Sequence, residues 1–180
     1  MVTSLDLDYR NIAATVLKQS VQEILGGEPM KEYFEAPASG GPSLISSAAR
    51  LQDDLELAYG AAGGKGLALR IGRVIFKNGL AALGEQAGFR AMEFRMLPSP
   101  RRIENGLQAM AAIANEAGQY EITVTSESAS WQLQAQHCPA CLGRQSSEPS
   151  CYWVTGFLQE FASWAGGGRF YRVAETECRA

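Results

Sequence analysis

Apolar residues recur at helical spacing through the first two-thirds of the chain, then switch to strict alternation near residue 120. Asp6 or Asp8 can cap a first helix over about 6–25, where Ile12, Val16, Ile24 and Leu25 fall near a 3.6 period and Gly26-Gly27 stops it. Pro29, Pro37, Gly40, Gly41 and Pro42 make 28–42 a loop, with Tyr33 and Phe34 as its packing residues. Ser43 is placed to cap a second helix over 43–59, striped by Leu44, Ala48, Leu51, Leu55 and Ala58. The glycine-rich run at 60–66 predicts a flexible turn. A third helix follows over 67–87 with Leu69, Val74, Ile75, Leu80 and Leu83, and its Gly72, Gly79 and Gly84 offer close approach to another helix.

Residues 89–97 fit a strand or a helix extension, ended by Pro98 and Pro100. Over 101–117 the period is helical again, with Ile103, Leu107, Met110, Ala111 and Ala114 on one side and Gly118 as C-cap. Alternation over 120–125 and 130–136 predicts an antiparallel hairpin whose second strand turns Trp131, Leu133 and Ala135 to one face. A helix over 151–165 carries Val154, Phe157, Leu158, Phe161 and Trp164. Gly166-Gly167-Gly168 breaks it, and 170–174 reads as one more strand ending near Cys178.

A chain of 180 residues, 46% hydrophobic, suits one domain with its own core. Net charge is −3 and the 16 basic residues are scattered, apart from Arg101-Arg102, so nucleic acid is not expected as a partner. The first ten residues lack a basic region followed by an apolar run, so no secretory signal is expected. No stretch reaches the length of about 18 apolar residues that a membrane span requires. A cytoplasmic location is the expectation. The run at 60–66 also fails as a phosphate-binding loop, because Gly66 follows Lys65 where Ser or Thr is needed and Tyr59 stands where the first glycine is needed.

Chemistry concentrates at the C-terminal end. All four cysteines, Cys138, Cys141, Cys151 and Cys178, lie there, with the single histidine, His137, beside the first. A Cys-x-x-Cys pair joined by two later cysteines can present four thiolates to one tetrahedral Zn²⁺, closing its coordination sphere and leaving no open catalytic position. Disulfides are the alternative, disfavoured by a reducing compartment, and His137 is an alternative ligand. Cys178 is third from the end, not fourth, so it does not form a prenylation box. The positions expected for the thiols are the exit of a strand, a knuckle, a helix start and the end of a last strand. At the helix start, free N–H groups favour thiolate at Cys151.

Three blocks carry a resemblance: Cys138-Pro139-Ala140-Cys141, the helix start Cys151 with Gly156 five residues on, and 170–178, Phe-Tyr-Arg-Val-Ala-Glu-Thr-Glu-Cys. Through them the chain resembles the vinyl-4-reductase domain family over roughly 118–180, with 1–117 as its mainly helical N-terminal part. The resemblance implies a single α+β domain over 1–180, an antiparallel sheet packed with helices as in small subunits of the Golgi tethering complex TRAPP, commonly dimeric. It further implies a binding module for apolar small molecules of hydrocarbon or tetrapyrrole type, with a structural zinc on the cysteines. Family members usually continue beyond the position of Cys178 with a Gly-rich turn, another cysteine and a final strand. Here Ala180 follows closely, which implies either a shortened C-terminus or a site completed without that ligand.

Trp131, Phe157, Phe161, Trp164 and Phe170 are the candidate lining of a ligand pocket, plain core being the alternative at such spacings. The expected function is therefore a non-catalytic, zinc-stabilised binding protein or carrier for an apolar small molecule. The alternative is a dimeric scaffold or assembly factor, as homodimer or hetero-complex. No catalytic residue is expected, since vinyl reduction needs a hydride source and no Gly-x-Gly-x-x-Gly fingerprint follows a strand.

Overall fold

The computed structural model describes residues 4–26, 44–116, 120–128, 130–138, 140–141, 144 and 148–178. Helix α1 spans Ser4–Leu25 and ends on Gly26, whose φ of 82° is the left-handed conformation that closes a helix and whose N–H donates to the Gln22 carbonyl at 2.9 Å. Positions 6 and 8 already lie inside this helix, so Asp6 and Asp8 do not occupy its cap. The expected loop at 28–42, the Ser43 cap and the Gly118 cap lie outside the described residues.

Helix α2, Leu44–Leu83, is two arms, 44–59 and 61–83, joined at Gly60 (φ 73°, ψ 165°). The expected turn over 60–66 contracts to this one residue, and 61–66 is helical. Packing outweighs the low helix propensity of its glycines. A Cβ on Gly64 would sit 2.6 Å from the Glu56 nitrogen, so the second arm returns against the first at a distance only glycine permits. Leu51 and Leu55 of one arm then share a core with Ala68 and Ile71 of the other and with Leu17 and Val21 of α1. The apolar side chains buried in the second arm are those of Ala68, Ile71 and Phe76, whereas the expected stripe of Leu69, Val74, Ile75, Leu80 and Leu83 is half-buried.

After α2, turns lead to the short helix α3, Met92–Met96, and then α4, Ser99–Glu116. Residues 89–97 are therefore not a strand. Ile103, Leu107, Ala111 and Ala114 are buried on α4, the face its spacing predicts. Strands β1, Ile122–Glu127, and β2, Ser130–Ala135, pair antiparallel with Val124 opposite Leu133 and Ser126 opposite Trp131. This hairpin lies on α4, and the Asn115 side chain fixes its entry by accepting from the Ile122 N–H at 2.6 Å and donating to the Ile122 carbonyl at 2.8 Å.

Helix α5, Tyr152–Ala165, crosses the second arm of α2 at reciprocal glycines. A Cβ on Gly72 would collide with the Trp153 carbonyl, and one on Gly156 with the Leu69 carbonyl. A second core forms where Phe76, Ile103, Leu107, Phe161 and Ala165 meet Val124, Trp131 and Leu133 of the hairpin. Burying Phe161 alone contributes about 3 kcal/mol. The turn at Gly166–Gly168 sends 169–178 back along α5, where Tyr171 lies against Gly166 and Cys178 against Cys151. The expected last strand is extended chain with burial alternating over 170–175, but it forms no ladder with β1 or β2. The architecture is thus mixed helix with a small two-stranded antiparallel sheet, and among the described residues no helix is long and apolar enough to cross a membrane.

Candidate metal centre

The four cysteines converge at the N-terminal end of α5. Cys138 follows the exit of β2, and the knuckle closes as the Cys141 N–H donates to the Cys138 carbonyl at 3.1 Å, with Ala140 fully buried beneath it. Cys151 is the N-cap of α5, buried at 5% exposure. Cys178 arrives from the returning segment. The Sγ–Sγ separations are 3.1 Å for Cys141–Cys151, 3.3 Å for Cys141–Cys178, 3.6 Å for Cys151–Cys178 and 3.7 Å for Cys138–Cys151. Cys138, Cys141 and Cys151 could hold a metal ion together, and Cys151 is shared with a second grouping that contains Glu175 and Cys178. His137 is exposed and belongs to neither grouping.

Crowding splits the acidities of Cys138, Cys141 and Cys151. The hydrogen bond from the Cys151 thiol holds Cys138 well below the ordinary thiol value, at about 6. Burial, ahead of the influence of neighbouring sulfurs, pushes Cys141 up to about 12. Cys151 is raised as well, first because its proton is the one donated to Cys138 and then because it is buried. A negative charge is therefore accommodated readily at Cys138 and resisted at Cys141 and Cys151, until a cation supplies compensation.

Residues far off in sequence set the site in place. Glu175 accepts from the Cys151 N–H at 2.7 Å, placing a carboxylate at the otherwise open amide end of α5 and tying the returning segment to it. Arg144, with a side chain only 7% exposed, reaches from the cysteine loop to α2. Its Nε donates to Asp53 at 2.6 Å and its Nη1 to the Ser150 hydroxyl at 3.2 Å. Gln52, fully buried, accepts from the Tyr152 N–H at 3.3 Å and donates to Glu56 at 2.9 Å. Glu175, Arg144 and Gln52 were not among the residues the sequence singled out. Only Glu175, three positions before a cysteine, carried any local signal.

The five aromatic candidates separate. Phe161 is core at 1% exposure, and Phe157 and Trp164 are half-buried against Phe76, at 5.5 and 5.7 Å between ring centroids. Phe94 stacks on Trp164 at 5.9 Å, and Phe89 lies 5.4 Å from it. Trp131 joins the same core from the hairpin side and lies edge-on to Tyr171 at 6.0 Å. Phe170 joins none of them: it is 90% exposed, because alternation along the extended segment turns it outward when Tyr171 turns in. No family model matches the chain, and neither does any curated protein or solved structure.

Proposed function

We propose that the chain is a non-catalytic, zinc-stabilised binding protein for an apolar small molecule, hydrocarbon or tetrapyrrole in type, built on a TRAPP-like arrangement of sheet and helices and acting in the cytoplasm. The observation that carries the metal assignment is the thiol spacing. A tetrahedral ZnS₄ centre with bonds of about 2.3 Å places its sulfurs about 3.8 Å apart, close to the 3.1–3.7 Å that separates four pairs of these thiols, Cys138–Cys151, Cys141–Cys151, Cys141–Cys178 and Cys151–Cys178. Sulfur-only ligation suits a soft or borderline ion and disfavours magnesium or calcium. Four thiolates leave such an ion no open position, which supports a structural role. The resemblance to vinyl-4-reductase domains supports the binding role, and the half-buried rings of Phe157, Trp164 and Trp131 are the surfaces on which an apolar ligand would lie.

Metal analysis with native mass spectrometry tests the first half: one zinc per chain is expected, and a chain purified without any metal would sink it. Thermal melting against a panel of hydrocarbons and tetrapyrroles tests the second, a rise in Tm with ligand being the expected result. An assembly scaffold is the second reading, favoured by Met92 and Met96, one turn apart on α3 and 73% and 74% exposed, and by Leu57 at 87%. No ligand response together with a stable complex on pull-down would favour it.

A further inference from the structure

The returning segment 169–178 presents an edge that nothing among the described residues pairs. Its residues are strand-formers, Phe170, Tyr171 and Val173, and its exposure alternates, with Phe170, Arg172, Ala174 and Thr176 outward and Tyr171, Val173 and Glu175 inward. Both ends are fixed to the body. Tyr171 packs on Gly166 and edge-on to Trp131, while Glu175 and Cys178 are held at Cys151. The segment thus alternates in exposure as a strand does, is anchored at both ends, and forms no ladder among the described residues. A two-stranded hairpin is a marginal sheet by itself, and an exposed edge of this kind is a template for another strand.

Its charges identify the partner. Arg169 and Arg172 lead and Glu175 and Glu177 follow, so the segment is complementary to itself when run antiparallel. With Val173 on a two-fold axis, Arg169 faces Glu177 of the partner subunit, and the same pair recurs at the other end. Phe170 then lies opposite Thr176 of the partner subunit, and Arg172 opposite Ala174 of the partner subunit. This register keeps residues of one face together, Phe170 and Arg172 against outward neighbours and Arg169 against Glu177 on the other face at the exposed ends of the segment, as the pleat demands. Arg169 and Glu177 are both exposed, and neither is engaged in an ion pair among the described residues. We propose that residues 169–178 pair antiparallel with the same residues of a second copy of this chain, joining the two by a continuous strand interface. The proposal deepens the assembly reading by naming its surface and its partner, and it rests on the metal centre only for holding the far end of the segment.

Charge reversal tests it on the full chain with its metal in place. Sedimentation should show a dimer for the unaltered chain. Arg169→Glu alone should weaken it by roughly tenfold or more, since two opposed pairs become like-charged, and Glu177→Arg alone should do the same. The double variant R169E/E177R should recover the dimer, because the pairs are restored with their signs exchanged. A chain that stays monomeric at the highest attainable concentration, a dimer indifferent to both single reversals, or a double variant no better than the singles overturns the proposal. Both side chains are exposed, so folding should be untouched. Metal content measured on the same samples separates this outcome from failure of the zinc assignment.

Discussion

At the scale of single residues, the cysteine cluster is a site poised by its own protons. Above about pH 6 Cys138 is mostly thiolate, whereas Cys141 and Cys151 keep their protons through the neutral range in the metal-free chain. A metal must displace those protons, so its affinity falls as pH falls, and it falls more steeply once Cys138 also binds a proton below about 6. Competition with a chromophoric chelator across that range should show the steepening, and calorimetry in buffers of different ionisation enthalpy should show protons released at neutral pH. An affinity independent of pH would contradict ligation by these thiols. Arg144 acts differently, by holding the loop onto α2. Arg144→Ala removes a buried stem and its bonds to Asp53 and Ser150, and should cost about 2 kcal/mol in a chemical melt. Asp53 is half-exposed, so Asp53→Asn should cost less, about 0.5 kcal/mol.

At the scale of elements, the crossing of α2 and α5 depends on two hydrogen atoms where other residues carry side chains. Gly72→Ala or Gly156→Ala would drive a methyl group into the opposing backbone and should destabilise by about 3 kcal/mol or more. Gly79, on the same arm, has open space where its Cβ would be, so Gly79→Ala should instead stabilise by about 0.5–1 kcal/mol. Opposite signs for the same substitution within one helix are readable from three thermal melts. The sequence named Gly72 as a point of close approach but grouped it with Gly79 and Gly84, because spacing cannot tell which glycine meets a neighbour. Period alone sufficed to place α1, α4, α5 and the hairpin, although in α1 the core residues Leu17 and Val21 lie beside the expected stripe, of which only Val16 is buried. It failed at 60–66, where composition argues for a turn while the Gly64 contact on Glu56 holds a helix. It also failed in part at 170–178, since alternation reveals an extended chain but not whether another strand lies beside it. The convergence of the four thiols was legible from their crowding into the last quarter of the chain. Arg144 and Gln52 were not, because their partners Asp53 and Tyr152 lie 91 and 100 positions away and no local pattern marks them.

At the scale of the whole molecule, the two cores bear unequally on the metal centre. The core of α1 and the arms of α2 is closed by Leu17, Val21, Leu51, Leu55, Ala68 and Ile71, none of them contributed by the cysteine loop or the returning segment. The cysteine loop and residues 169–178 contribute few apolar side chains and are held by thiols, by Glu175 on Cys151 and by the Arg144 clamp. Removing a metal from this cluster would leave the half-buried Cys138, Cys141 and Cys178 around the buried Cys151 without a common ligand, and would loosen the attachment of the far end of the returning segment. The expected outcome is local opening, not collapse. After chelation, amide exchange should accelerate at Cys138–Cys141 and over 170–178, spread next into the first turn of α5 where the N–H of Cys151 loses Glu175, and leave the α1–α2 core protected. Exchange mass spectrometry before and after chelation resolves these regions. If all regions accelerated together, the centre would be part of a single cooperative core. If none did, the thiols would be idle passengers of a fold secured elsewhere. A graded response fits the fold, because α2 meets α5 at Gly72 and Gly156 through backbone contact that owes nothing to sulfur.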